Sequence, residues 1–249
     1  MTKRIWLMTG LSSGFSKEIA QHLLTNGDAV IGTVIDYLCV TDLASKYPLD
    51  FHPQIFSEYY EQELSSAIKR IEVSGKHLDA LVITDTTVTL GASEFMAPEA
   101  VKEQVSVNFT QTILLVNAAI KHFRKQGKGS IIMIGAPEMV KSMPGAGLYF
   151  SIKKAIESYL LAVKKEVEHL NIDVKILYSN DISPLIDRVD IQDSGLFSPY
   201  DNGAASQIYT RVYNDQSRIS GADIILNKIS SSVQSSQQKT SELLITPQQ

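Results

Sequence analysis

Short apolar runs alternate with longer helical patterns along this chain, and that alternation most constrains the fold. Strand-like runs occur at 4–9, 29–34, 52–57, 79–84, 130–135, 173–178 and 242–246, and helical stretches at 14–26, 60–75, 98–125, 147–170 and 221–235. Strands that alternate with helices build right-handed β–α–β units, so the strands lie parallel and both faces of the sheet are covered. We therefore predict an α/β fold, a single doubly wound parallel-sheet domain over residues 1–249.

Composition narrows the class of protein further. The 249 residues are 44% hydrophobic and 20% charged, which is enough for the core of one α/β domain. The net charge of −4 predicts no general attraction to nucleic acid or to an anionic membrane, and no stretch is long enough to span a bilayer. The single cysteine, Cys39, excludes an internal disulfide and predicts a reducing compartment, the cytoplasm. The five histidines are scattered, so we predict no metal site.

A glycine-rich turn joins the first strand to the first helix. Thr9 ends the apolar run, and Gly10-Leu-Ser-Ser-Gly14 follows directly. Gly10 permits a tight turn, and Gly14 lets a ligand approach the backbone where helix N–H groups favour anions. The candidate binding residues are Gly10, Ser12, Ser13, Gly14 and Phe15. A plain β–α turn that binds nothing would show the same pattern, so both interpretations stay open.

Tyr149 and Lys153 form the candidate proton-transfer pair. They stand four residues apart in a predicted helix and therefore share one face. A nearby ammonium lowers the pKa of a phenol, and such a tyrosine can exchange a proton with a carbonyl oxygen. The same spacing also arises by chance on solvated helices.

Together, the Thr-Gly-x-x-x-Gly turn, the Tyr-x-x-x-Lys pair and the chain length resemble the short-chain dehydrogenase/reductase family. The resemblance implies a Rossmann-like domain that transfers hydride between NAD or NADP and a carbonyl or alcohol carbon of a small-molecule substrate. It implies Tyr149 as the acid/base, Lys153 as its partner and a cofactor ligand, and Asn108 as the group that orders a relay water. It further implies a substrate lid at 184–202 and a homodimer or homotetramer.

The chain departs from the family where the cofactor would lie. Ser16 replaces the third glycine of the turn. In the family, an acid at the end of the second strand selects NAD and an arginine selects NADP. Those two positions hold Val34 and Ile35, and Asp36 lies one residue further on. Neither cofactor is therefore selected in the expected way.

Two more departures concern the floor and the chemistry of the cleft. The family's Asn-Asn-Ala-Gly becomes Ile83–Thr86, which introduces the Asp85 carboxylate and a branched Thr86 near a bound diphosphate. Ala136 stands where the family has a serine that holds the substrate carbonyl, and losing such a donor costs roughly 10²–10³ in rate. Ser142, in the following loop, is a candidate substitute for the missing hydroxyl.

These departures leave two hypotheses. The first is a divergent NAD(P)-dependent oxidoreductase that uses Tyr149, Lys153 and Asn108. The second is a pseudoenzyme that serves as a binding or regulatory module in the old cleft. The sequence leaves open whether the chain is an enzyme.

Overall fold

The computed structural model describes residues 3–11, 14–34, 36–55, 66, 68–69, 71, 77–84, 88–135, 144–178, 189–191, 203 and 228–229. Within these residues there are eight strands. Their bounds are Ile5–Met8 (β1), Ala29–Val34 (β2), Phe51–Ile55 (β3), Ala80–Ile83 (β4), Val88–Leu90 (β5), Gly129–Gly135 (β6), Ile172–Tyr178 (β7) and Val189–Ile191 (β8).

The described α-helices are Gly14–Thr25 (α1), Thr41–Lys46 (α2), Pro98–Val105 (α3), Thr112–Gln126 (α4) and Gly147–Val167 (α5). Short 3-10 turns occupy Tyr37–Val40, Ser93–Phe95 and Glu168–Leu170. Residues 66, 68, 69 and 71 are helical, as are residues 228 and 229. Most of the predicted helices at 60–75 and 221–235, and all of the predicted strand at 242–246, lie outside the described residues.

Six of the strands form one parallel sheet in the order β3-β2-β1-β4-β6-β7. The order reverses between β1 and β4, because the chain winds outward from β1 in both directions. In doubly wound sheets a crevice for ligands opens at the carboxyl ends of the strands at this point. The predicted fold class, a Rossmann-like α/β fold, is confirmed.

Helices cover both faces of the sheet, and each face has its own apolar core. One core joins β1 residues such as Trp6 to Ile19 and Leu23 of α1. The other joins Leu7 to Phe123 of α4 and to helix α5. Because alternate strand residues point to opposite faces, the fully apolar strands predicted from the sequence supply both cores.

The structure differs from the sequence prediction in several places, among them helix α2, which lies where no helix is predicted. The helix predicted at 98–125 is interrupted by a π-helical turn at Ser106–Gln111 that separates α3 from α4. The stretch at 184–202, where the sequence predicts neither a strand nor a helix, contains the strand β8, which pairs in parallel with β5 as a separate two-stranded sheet. Three-residue strands carry too little periodicity to be recognised from sequence.

Leu11 and Gly32 share one space beneath the first turn. Leu11 is fully buried, and a Cβ added to Gly32 would lie 1.6 Å from Leu11 Cδ1 and 2.9 Å from its Cγ. The leucine side chain therefore occupies the volume that any larger residue at position 32 would need. This contact fixes the turn against the second strand.

We expect Gly32→Ala to destabilise the fold by about 1–3 kcal/mol through overpacking. Leu11→Ala alone should cost about 2–5 kcal/mol through the cavity that it leaves. The double variant should be more stable than the sum of the two changes predicts, since the new methyl group fills part of that cavity. Urea unfolding measures all three, with Gly147→Ala as control because a Cβ there meets nothing within 4 Å. Strict additivity would contradict the shared space.

Candidate functional site

The turn between β1 and α1 is tight and is tied to β2. Gly10 has a φ of 68°, a left-handed conformation that favours glycine. Its N–H donates to Thr33 Oγ1 at 3.0 Å, and the Leu11 N–H donates to the Thr33 carbonyl at 2.9 Å. The predicted binding residues Ser12 and Ser13 lie outside the described residues.

Three buried hydroxyl groups join β1, β4 and α1 at the carboxyl edge of the sheet. The Thr9 hydroxyl donates to the Thr84 carbonyl and accepts from the Thr84 N–H, each at 2.9 Å. The Thr84 hydroxyl donates to the Thr9 carbonyl, and the Ser16 hydroxyl donates to Thr84 Oγ1 at 2.8 Å. Ser16 and Thr84, two of the departures from the family pattern, are therefore bonded to each other.

The places where a dinucleotide would contact the protein are the start of α1, for its diphosphate, and the end of β2, for its ribose. Helix α1 has no acidic residue in its first turn, so its N-terminus favours an anion. The Phe15 side chain is in the core, so any contact of Phe15 with a cofactor would be made by its backbone. Val34 is buried, and the Asp36 carboxylate accepts from the Leu38 N–H at 2.9 Å, where it caps a 3-10 turn.

Asn108, Tyr149 and Lys153 all lie inside the protein. Their exposed fractions are 8%, 0% and 4%, respectively. Asn108 belongs to the π-helical turn, which packs against α5, the helix that carries the other two residues. π-helical turns inside α-helices occur frequently at functional sites. The structure thus places Asn108 and the Tyr149–Lys153 pair on two elements that pack against each other.

Lys153 and Tyr149 have defined surroundings within α5. The Lys153 ammonium donates to the Ile134 carbonyl of β6 at 2.8 Å, so the lysine is tied to the carboxyl end of a central strand. The Tyr149 ring contacts the Phe150 ring edge-on, with centroids 5.0 Å apart. Tyr149 belongs to the core cluster that also contains Met8 and Leu90, so its phenol does not face bulk solvent.

A cavity of about 200 Å³ opens beside the start of α5. It is lined by Thr89 and Ser93, by the apolar residues Met96, Val101 and Leu148, and by three glycines. None of these described lining residues carries a charge. Leu148 directly precedes Tyr149 along α5, but Tyr149 is not itself among the described lining residues, because its side chain is in the core.

Tyr159 is a second tyrosine on α5 with a different environment. Its hydroxyl donates to Asn117 Oδ1 at 2.8 Å. Burial raises the pKa of Tyr159, and the nearby Glu166 carboxylate raises it further. Both effects disfavour the phenolate, and this hydroxyl contacts α4 and not the carboxyl edge of the sheet.

Several predicted site features lie outside the described residues. These are Asp85, Thr86, Ala136, Ser142 and the lid at 184–202 except for β8. Among the described residues, no three histidine, cysteine, aspartate or glutamate side chains are grouped so that they could hold a metal ion. None of the described helices has the length and apolar character needed to cross a membrane.

A doubly wound sheet with a glycine turn at the point where the strand order reverses is typical of dinucleotide-binding folds. Residues 4–185 match the family described as short chain dehydrogenase, and the chain belongs to that family. It is 29% identical over 182 residues to the NADPH-dependent 3-dehydrocapnine reductase of Ornithobacterium rhinotracheale, a match that covers 70% of this chain and 64% of the relative. It is 28% identical over 187 residues to the 3-ketodihydrosphingosine reductase of Bacteroides thetaiotaomicron, covering 74% and 65%. The matches thus span just under two thirds of these relatives' length.

Solved structures agree on the fold. A short-chain dehydrogenase from Streptomyces avermitilis superposes with a TM-score of 0.79 at 21% identity, covering 95% of this chain and 86% of that one. A metagenomic short-chain oxidoreductase in complex with NADP gives a TM-score of 0.70 at 17% identity, covering 99% and 98%. The predicted family is confirmed by the sequence match, and these superpositions support the fold alone.

Sequence reasoning missed the residues around the cavity. Gln104 is fully buried on α3, and its Oε1 accepts from the Thr89 N–H at 3.3 Å. The only signal in the sequence is a polar residue within a predicted helix, which is common on solvated faces. Thr89 and Ser93 carried no signal, because Thr89 lies in a three-residue strand and Ser93 in a three-residue 3-10 turn, and both elements are too short to show periodicity.

The hydroxyl cluster can be tested by removing its central member. We expect Thr84→Val to cost about 1–3 kcal/mol, because it leaves the buried Ser16 hydroxyl and Thr9 carbonyl without this partner. Ser16→Ala should cost less, since Thr84 still donates to Thr9, and it should add little in the Thr84→Val background. Chemical denaturation gives these values, with Thr41→Val as an exposed control expected within about 0.5 kcal/mol. Equal and additive costs would show that the three hydroxyls are not coupled.

Proposed function

We propose that this chain is a ketone reductase that uses NADPH, with Tyr149 as the acid that protonates the carbonyl oxygen. The observation that carries the proposal is that Asn108, Tyr149 and Lys153 are buried on two elements, the π-helical turn and α5, that pack against each other. Residues that share the Tyr-x-x-x-Lys spacing only by chance would be expected to lie on a solvent-exposed helix surface. These three are instead buried, and the Lys153 ammonium donates to the Ile134 carbonyl near the carboxyl end of β6, the edge of the sheet where ligands of this fold bind.

The residues have complementary roles in this scheme. A bound reduced nicotinamide would supply a hydride to the carbonyl carbon. The Tyr149 hydroxyl gives its proton to the carbonyl oxygen, so the ketone becomes a secondary alcohol. The Lys153 ammonium stabilises the phenolate left behind, and Asn108 holds a water through which the proton is replaced from solvent.

The choice of NADPH and of a ketone is supported by two lines of argument. One relative is named an NADPH-dependent reductase, and another is named for a 3-keto compound. In addition, β2 ends in buried Val34, so this strand offers no carboxylate at the position that selects NAD. The cavity beside Leu148 is the proposed place for the part of the substrate that flanks its carbonyl.

The test is turnover with NADPH or NADH on a panel of ketones that includes 3-ketodihydrosphingosine. We expect Tyr149→Phe to lower turnover by about a hundredfold or more, because it removes the proton donor. Tyr159→Phe is the matched control on the same helix and should keep turnover, since its hydroxyl is bonded to Asn117. Nicotinamide absorbance follows the reaction, and circular dichroism checks the fold. Unchanged turnover in Tyr149→Phe would reject the assignment.

A second candidate function is a non-redox binding or regulatory module. Two observations favour it: Tyr149 has no exposed surface, and the Lys153 ammonium already donates to the Ile134 carbonyl. A substrate carbonyl can reach Tyr149 only if the groups covering it move. A chain that had lost its chemistry could keep such a closed arrangement as part of its core.

Calorimetric titration with NAD, NADH, NADP and NADPH separates the two candidates. The binding-module hypothesis predicts no heat with any of them at millimolar concentration. The reductase hypothesis predicts micromolar binding of NADPH, which Gly14→Asp should weaken by at least about tenfold through repulsion between the new carboxylate and the diphosphate. The same variant should keep its melting temperature, because a carboxylate at a helix N-terminus is favourable. Micromolar binding that Gly14→Asp leaves unchanged would place the ligand elsewhere.

A further inference from the structure

Among the described residues, only one of the two polar groups of the Gln104 side chain forms a hydrogen bond. The residue is fully buried on α3, and its side-chain oxygen accepts from the Thr89 N–H at 3.3 Å. Its side-chain nitrogen, Nε2, is also buried and has no hydrogen-bond partner among the described residues. A buried donor without an acceptor destabilises a protein, because it has lost its water and gained nothing.

An apolar residue at this position would avoid that loss. Methionine, for example, has a similar volume and no donor to satisfy. Burial alone therefore does not explain a glutamine here. The bond made by its oxygen to Thr89 remains as the explanation.

The bond from the Thr89 N–H to Gln104 Oε1 holds one side of β5. Strand β5 pairs with β8 along Val88–Leu90 and Val189–Ile191, and the Thr89 N–H is given instead to Gln104. The short strand is thus attached to two partners: the backbone of β8, which lies within the predicted lid, and the side chain of an α3 residue. Asn108 follows four residues after Gln104 on the continuing helical path.

The same bond defines a wall of the cavity. Thr89 lines the cavity, and so does Val101, which lies one turn before Gln104 on α3. The distance between these two lining residues depends on how closely α3 and β5 approach each other. Gln104 connects the two elements directly.

We propose that Gln104 is a positioning residue that fixes β5, and through it β8, relative to the helix carrying Asn108. It sets the width of the cavity and thereby the fit of the ketone substrate. This inference rests on the proposed function, because it takes the cavity as the substrate site. Gln104 does not itself contact the reacting atoms.

Gln126 provides a matched control elsewhere in the chain. Its Oε1 accepts from the Leu78 N–H at 3.1 Å, and its Nε2 donates to the Leu78 carbonyl at 2.8 Å and to the Lys128 carbonyl at 3.0 Å. This glutamine also binds the backbone of a strand-forming segment, but with both of its groups satisfied. Leu78 precedes β4 at the amino edge of the sheet, away from the cavity.

The kinetic test compares Gln104→Met, Gln104→Glu and Gln126→Met in the full chain. We expect Gln104→Met to raise KM for the ketone at least about fivefold, with kcat and the Kd for NADPH within about twofold of the parent. Its melting temperature should change little, because the change removes one unpaired donor and creates another. Gln104→Glu keeps the acceptor oxygen and should keep KM within about twofold of the parent, while the burial of its carboxyl group should lower the melting temperature. Gln126→Met should lower the melting temperature and leave KM unchanged.

Amide hydrogen exchange gives a readout that does not need turnover. In Gln104→Met the Thr89 amide should exchange at least about tenfold faster, and in Gln126→Met it should not. An unchanged Thr89 exchange rate, or an equal rise of KM in Gln126→Met, would overturn the role of Gln104. If the parent chain itself shows no turnover, the proposed reductase activity is wrong. The exchange rate of the Thr89 amide still decides whether Gln104 holds β5.

Discussion

The bond between Thr9 and Thr84 is the interaction on which the rest of the site depends. Each residue follows directly after its strand, β1 or β4, and the strand order reverses between these two. Each threonine bonds both backbone and side chain of the other. The crevice of a doubly wound sheet opens at this reversal. The two residues therefore set the distance between the ends of β1 and β4, and the glycine turn begins directly after Thr9.

The hydroxyl cluster also changes how the departures from the family are understood. Considered one at a time, Ser16 in place of a glycine and Thr84 in place of an amide are two separate losses. In the folded protein the Ser16 hydroxyl donates to Thr84 Oγ1 at 2.8 Å, so each substitution supplies a partner for the other. A buried hydroxyl is costly only when it is unpaired. These two changes are therefore consistent with a maintained crevice, and they do not by themselves indicate decay.

The fold was predictable because it depends on patterns that extend over many residues. Strands such as Ala29–Val34 and helices such as α1 and α5 repeat their apolar residues often enough to be recognised, and the observed bounds differ from the predicted ones by only a few residues. For the site, the sequence could predict which residues are candidates but not the contacts that they make. That Lys153 bonds to the Ile134 carbonyl, or that Asn108 lies in a π-helical turn, depends on contacts between distant segments. No local spacing in a single sequence carries that information.

Glycines in the strands show why such contacts escape a sequence argument. A Cβ on Gly129 would lie 2.1 Å from the Phe123 ring, and a Cβ on Gly135 would lie 2.9 Å from Ile176 Cγ2 and 3.0 Å from the Tyr178 ring. In each case a large side chain from elsewhere covers the bare backbone, as Leu11 covers Gly32. Gly135 directly precedes the position where the family's serine is absent. Because the Ile176 side chain and the Tyr178 ring both lie against Gly135, a larger residue at this position requires both side chains to shift. The end of β6 is thus shaped by packing against β7, and this packing limits the size of the side chain that position 135 can hold.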